Sequence, residues 1–108
     1  MTMKTFVSNG TGVLYDVDTG EPLATIAYRI YRNPATDEAD ELWWGGFALN
    51  EAVPEREEYT LELEDGRRGR CHVTLRVVDR LAADLVFYHY DIKGTCALEK
   101  GAGDGRGA

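Results

Sequence analysis

The sequence predicts an all-β fold: a single small antiparallel barrel or sandwich of six strands, with little or no helix. Three observations predict it. Six short runs rich in Val, Ile, Leu and Tyr alternate with gaps punctuated by Gly, Pro, Asn or Asp. No window carries apolar residues at i, i+3, i+4 and i+7 for long enough to make a helix. At 108 residues, 44% hydrophobic and 29% charged, the chain has the length and composition of one domain with one core.

The expected strands fall at 11–17 (TGVLYDV), 23–32 (LATIAYRIYR), 42–49 (LWWGGFAL), 58–64 (EYTLELE), 68–79 (RGRCHVTLRVVD) and 84–92 (DLVFYHYDI). Between the last two, LAAD at 81–84 is long enough for one helical turn. Two strands are apolar on both faces. In 23–31, Ile26, Tyr28 and Ile30 share one face while Ala27 and Tyr31 lie on the other; in 85–92, Val86, Tyr88, Tyr90 and Ile92 oppose Leu85 and Phe87. The second face needs cover from barrel curvature, a neighbouring loop or a partner subunit. Residues 99–108 (EKGAGDGRGA) are Gly-rich and are expected to form a flexible tail on a domain spanning 1–98. No internal repeat is visible.

Three arginines, Arg67, Arg68 and Arg70, follow Asp65-Gly66 in a chain of formal net charge -7. Side-chain parity explains them. Tyr59, Leu61 and Leu63 form the apolar set of one strand, and Cys71, Val73, Leu75 and Val77 that of the next. A two-residue turn at Asp65-Gly66 would set Leu61 beside Arg70 and turn one apolar set outward. A three-residue loop, Glu64-Asp65-Gly66 with Gly66 left-handed, instead pairs Tyr59 with Cys71 on the inner face. Glu62–Arg68, Thr60–Arg70 and Glu58–His72 then face outward. The arginines sit opposite the hairpin's own acids, and an anion site at their tip is the alternative.

Charge is segregated along the chain. Residues 37–65 hold eleven Asp or Glu against Arg56 alone, whereas 66–80 hold five Arg against Asp79. The overall negative balance argues against duplex nucleic acid as a partner, because affinity there rests on neutralising phosphates. No apolar run approaches the roughly 18 residues of a membrane span. The first twelve residues lack the apolar core of a secretory signal, so the expected compartment is the cytoplasm and the Asn9-Gly10-Thr11 sequon is a chance match.

Candidate functional residues are few. Trp43 and Trp44 are adjacent on a strand and point to opposite faces, so one should be buried and the other should cover a groove, an edge or a partner. Gly45-Gly46 permits a sharp bend there. His72 should face outward near Glu58, and His89 shares a face with Phe87 and Asp91. Their spacing demands no metal site, and no metal or other cofactor is expected. Cys71 and Cys96 are expected as buried or half-buried thiols without a disulfide. Ser8 is the only serine, and no Gly-rich phosphate loop precedes a helix, so the nucleophile and nucleotide motifs of common enzymes are missing.

The arginine tip invites comparison with cyclic-dinucleotide-binding barrels, which this chain resembles in length and strand count. Those barrels carry an Arg-rich N-terminal segment and a D/N-x-S-x-x-G motif, and neither stands in this sequence. The expectation is therefore a non-catalytic β-barrel module acting through protein contact or self-association, with a homodimer or a protein partner. The alternative is a small-molecule or anion-binding barrel, with an enzymatic role left open. Its candidate ligand-binding residues at the barrel mouth or hairpin are Trp43, Trp44, Arg67, Arg68, Arg70 and His89.

Overall fold

Asp16 ends the first strand because its carboxylate caps the turn that follows, accepting the Asp18 and Thr19 N–H groups at 2.8 and 3.1 Å. The computed structural model describes residues 4–100. Its strands are β1 (Phe6–Asp16), β2 (Pro22–Asn33), β3 (Leu42–Leu49), β4 (Tyr59–Glu62), β5 (Arg67–Ala82), β6 (Leu85–Gly94) and β7 (Glu99–Lys100). No helix occurs among the described residues, and none is long and apolar enough to cross a membrane.

Every pairing is antiparallel, in the order β4-β1-β2-β3-β6-β5, and β4 also pairs β5, which closes the six strands into a ring. The barrel is thus two three-stranded meanders, β1-β2-β3 and β4-β5-β6, zipped together along two seams. One seam is β3–β6, and the other is the short β1–β4 ladder from Val13↔Glu62 to Asp16↔Tyr59.

The interior is filled by side chains at alternate positions of every strand, among them Leu14, Ile26, Tyr28, Ile30, Trp43, Phe47, Leu61, Tyr90 and Ile92. Three inner tyrosines also fasten the ends. The Tyr28 hydroxyl accepts the Glu64 N–H at 3.0 Å, Tyr90 accepts Val53 N–H at 2.9 Å, and Tyr59 accepts Arg56 N–H at 2.9 Å while donating to the Pro54 carbonyl. Among the described residues no buried side-chain polar atom lacks a partner.

The hairpin register follows from parity as expected. Tyr59↔Cys71, Thr60↔Arg70, Leu61↔Gly69 and Glu62↔Arg68 are opposed, Gly66 has φ 93°, and Leu63 N–H meets the Arg67 carbonyl at 2.8 Å.

Five expectations differ from the structure. Val77, expected to share the inner face with Cys71, Val73 and Leu75, is carried to the outer face by the register shift after Leu75. Strand β1 begins at Phe6 rather than residue 11, because Asn9-Gly10, which stands before the expected strand, lies in the ladder with β2. Its glycines face inward under the Tyr28 ring; a Cβ on Gly10 would stand 2.7 Å from the Tyr28 hydroxyl. Residues 81–84 make no helical turn. Strand β5 runs on to Ala82, which pairs Leu85 across a two-residue turn. No non-glycine residue there has positive φ, and a register shift between Arg80 and Ala82 takes up the twist that a primed turn would supply. Cys71 is buried, but Cys96 is exposed, its sulfur accepting the Arg70 N–H at 3.2 Å. Burial pushes the Cys71 thiol up to about 12, so it is inert at neutral pH. Finally, Glu99 and Lys100 pair with Arg68 and Arg67, which carries ordered structure past residue 98. Residues 101–108 of the expected tail lie outside the described residues.

Asp16 and Arg56 form the best-placed ion pair, Nε to Oδ2 at 2.7 Å, with Asp16 almost wholly enclosed. The guanidinium hydrogen bond, aided by the Thr19 and Asp18 N–H groups, holds the Asp16 carboxyl below the ordinary 3.8. The unfolded chain therefore takes up this proton first, so the stabilisation is complete above the ordinary value and is lost as pH falls through the folded one. Melting temperatures followed from pH 6 to about pH 2 should show Asp16→Asn well below wild type near neutrality. The gap should narrow below about pH 3. A constant gap would show that the charge plays no part.

Candidate functional site

Strands β5 and β6 outrun the barrel. The β4–β5 ladder stops at Tyr59↔Cys71, whereas β5 and β6 continue paired from Val73↔Ile92 to Ala82↔Leu85. A β5–β6 ribbon therefore projects from the end that also carries the 50–58 loop, backed by β3 as far as Leu49↔Tyr88 and two-stranded only at its tip, Asp79–Phe87. The radius of gyration, 14.9 Å, exceeds the roughly 13 Å of a compact chain this long.

The alternation that fills the barrel carries on into the ribbon, where Tyr88 still packs against the core but Leu75 and Val78 are left exposed. Leu75, Val78, Val86 and Tyr88 continue the inner face, opposite one another as Leu75↔Tyr90, Val78↔Tyr88 and Arg80↔Val86. Val77, Phe87 and Leu85 lie on the other face. Leu75 is 47% exposed, Val77 45%, Val78 41%, Leu81 59% and Leu85 42%. The second apolar face expected on 84–92 is therefore not covered by curvature or by a loop.

A second feature lies on the barrel's outer surface. Gly46 stands between Arg29 and Asp91 in the ladder and leaves a groove of about 370 Å³ over the strand. Tyr31, Arg29, Arg76, His89 and Asp91 line it. Arg76 Nε donates to Asp91 Oδ1 at 3.1 Å, Arg29 Nε donates to Asn9 at 3.0 Å, and His89 Nε2 lies 3.8 Å from Asp79.

The sequence candidates do not converge. Trp43 is 2% exposed and belongs to the core, so its ring is not open to a ligand. Trp44 is 38% exposed on the outer face, stacked on Tyr31 with ring centroids 5.8 Å apart. His89 lines the groove. The arginines sit at the opposite end of the barrel from the ribbon. Arg67 is held by Asp65 at 2.9 Å, and its backbone N–H lowers the Asp65 carboxyl below the usual range. Arg68 lies 3.9 Å from Glu62 with its guanidinium 4.9 Å from the Tyr15 ring centroid. Arg70 is exposed and enters no ion pair among the described residues. Arg68→Ala should therefore cost about 1 kcal/mol or less in urea melts, the worth of an exposed pair plus a weak cation–π contact. A loss several times larger would mean that the tip is strained around it.

His72 is exposed, as expected, its Nδ1 2.8 Å from the Glu57 carbonyl in a small acidic recess of about 250 Å³ with Asp16, Asp18, Arg56, Glu57 and Glu58. No group of three or more His, Cys, Asp or Glu among the described residues is placed to hold a metal ion. The mouth beside the ribbon is filled by Tyr90 and by buried Val53 from the 50–58 loop. What sequence reasoning missed is the ribbon itself. Its signal was the two-sided apolar pattern of 85–92 combined with a β5 apolar run longer than its β4 partner. No protein-family model matches the chain, and no curated protein and no solved structure matches it.

Proposed function

We propose that this chain is a non-catalytic contact module that works by docking the β5–β6 ribbon against a protein surface. The ribbon carries the reading. Its tip beyond Tyr88 is two-stranded, an arrangement only marginally stable in water, and the ribbon leaves large apolar side chains bare on both faces. Both deficits are relieved by a protein surface that adds strands or covers a face. A photo-crosslinking residue at position 81, in the full chain inside cells, should yield a discrete covalent adduct, while the same residue at position 37 in the acidic loop should not. No adduct from 81, or equal adducts from both positions, would overturn the reading.

A second reading rests on the groove over Gly46, where Arg29, Arg76 and His89 stand beside the Tyr31 ring. That lining suits a small anion carrying an aromatic group. Inorganic phosphate titrated to about 1 mM should move the His89 ring resonances if the arginines form an anion site. Unmoved resonances would dismiss it.

A further inference from the structure

We infer that the partner of the ribbon is a second copy of the chain, the two β5 strands meeting edge to edge about a two-fold axis near Val78. The inference rests on the contact-module reading and names its partner. It draws on three observations.

The first is backbone chemistry. Beyond Cys71, β5 has a strand partner only on its β6 side among the described residues, and no backbone hydrogen bond outside the ladder reaches its other edge from residues 73–82. That row of N–H and C=O groups is a template for strand addition. Joining two such edges makes one continuous sheet of the two copies and adds strands beside a ribbon tip that is itself only two-stranded. It also brings Leu75, Val78, Val86 and Tyr88 of both copies onto one continuous face.

The second is shape. Register shifts at Leu75/Val77 and Arg80/Ala82 mark two bulges in β5. Bulges strengthen the local twist and spoil an edge for an ordinary extended strand. A second copy presents the same twist and the same bulges, related by the two-fold.

The third is charge. The chain carries a formal net charge of -7, yet within 74–88 Arg76 and Arg80 balance Asp79 and Asp84. A strongly basic or acidic partner gains nothing from a neutral ribbon, and two copies meet there without the repulsion their other surfaces carry. The sign pattern is also self-complementary. Arg76 and Asp79 lie on the same face of β5, bonded to Asp91 and near His89 respectively. An antiparallel two-fold pairing sets Arg76 of one copy near Asp79 of the other, and the reverse.

Sedimentation velocity of the full chain, from low to high micromolar concentration, tests this. A species of about 24 kDa, twice the 12.0 kDa chain, is expected to grow with concentration. Asp79→Arg should weaken association roughly tenfold by setting like charges together, and Arg76→Asp combined with Asp79→Arg should restore it. Without any variant, the amides of 76–81 should exchange faster on dilution through the dissociation range. A monomer throughout, a dimer indifferent to Asp79→Arg, or exchange at 76–81 that ignores dilution would each overturn the inference. A monomer whose position-81 adduct contains a different protein would overturn self-pairing and leave the contact-module reading standing. A monomer with no adduct would remove both.

Discussion

Trp43→Ala should destabilise the protein by about 3–5 kcal/mol, a large share of the roughly 5–15 kcal/mol that holds a domain this size together. The indole is 2% exposed and lies against Gly69 and Gly94, where an added Cβ would meet its ring atoms. Neither glycine has a side chain that could relax into the space a truncation leaves, so the cavity persists. The loss extends beyond packing. The indole N–H donates to the Cys96 carbonyl, which fastens the 95–98 segment and brings buried Leu98 down onto the core. The segment keeps the bonds that join Thr95 and Cys96 to Arg70 and Leu98 N–H to Glu41 at 2.9 Å, but loses the one that holds it to the indole. Urea unfolding measures the effect. Trp44→Ala, which removes a half-exposed ring and one stack, should cost only about 1 kcal/mol. Equal losses for the two would refute the assignment of inside and outside.

Gly45→Ala should cost at least the upper part of the 1–3 kcal/mol usual for overpacking. Gly45 pairs with Ile30, and its missing side chain would fall on the Arg29 carbonyl oxygen of β2. A clash with a flexible side chain can be relieved by rotation. This one involves the backbone of a paired strand, so relief means separating β2 from β3. Gly46 is less demanding, since a Cβ there would stand 2.8 Å from the Tyr90 carbonyl oxygen. Thermal melts should therefore rank Gly45→Ala below Gly46→Ala, and the reverse order would mean that the strands approach elsewhere.

Where a local rule decides structure, the sequence could be read. Parity alone set the loop at 64–66 and the pairing of Tyr59 with Cys71, because a one-residue slip would have turned an apolar set outward. Alternation likewise required Trp43 and Trp44 to part. Which of them faces in was not legible, since that depends on Gly69 and Gly94, distant in sequence, leaving room for the ring. Gly10 was left outside the expected strand for the same reason, because its place is set by the Tyr28 ring across the ladder. The ribbon was half legible. Its surplus of apolar residues was plain, but its exposure follows from β4 being four residues long beside a β5 of sixteen. No local pattern states that difference as a protrusion.

The division into two meanders sets the order of folding events. Contacts within β1-β2-β3 and within β4-β5-β6 join residues near one another along the chain, and hairpins of that kind form in roughly microseconds. The two seams are different: Trp44 meets Lys93 and Leu14 meets Leu61, partners farther apart in sequence than either meander is long. Closing them costs chain entropy before burial of the core compensates, which places seam closure late and makes it the rate-limiting step. Substitutions at a seam, such as Leu61→Ala, would then slow refolding. Truncations at the turns within a meander would chiefly speed unfolding.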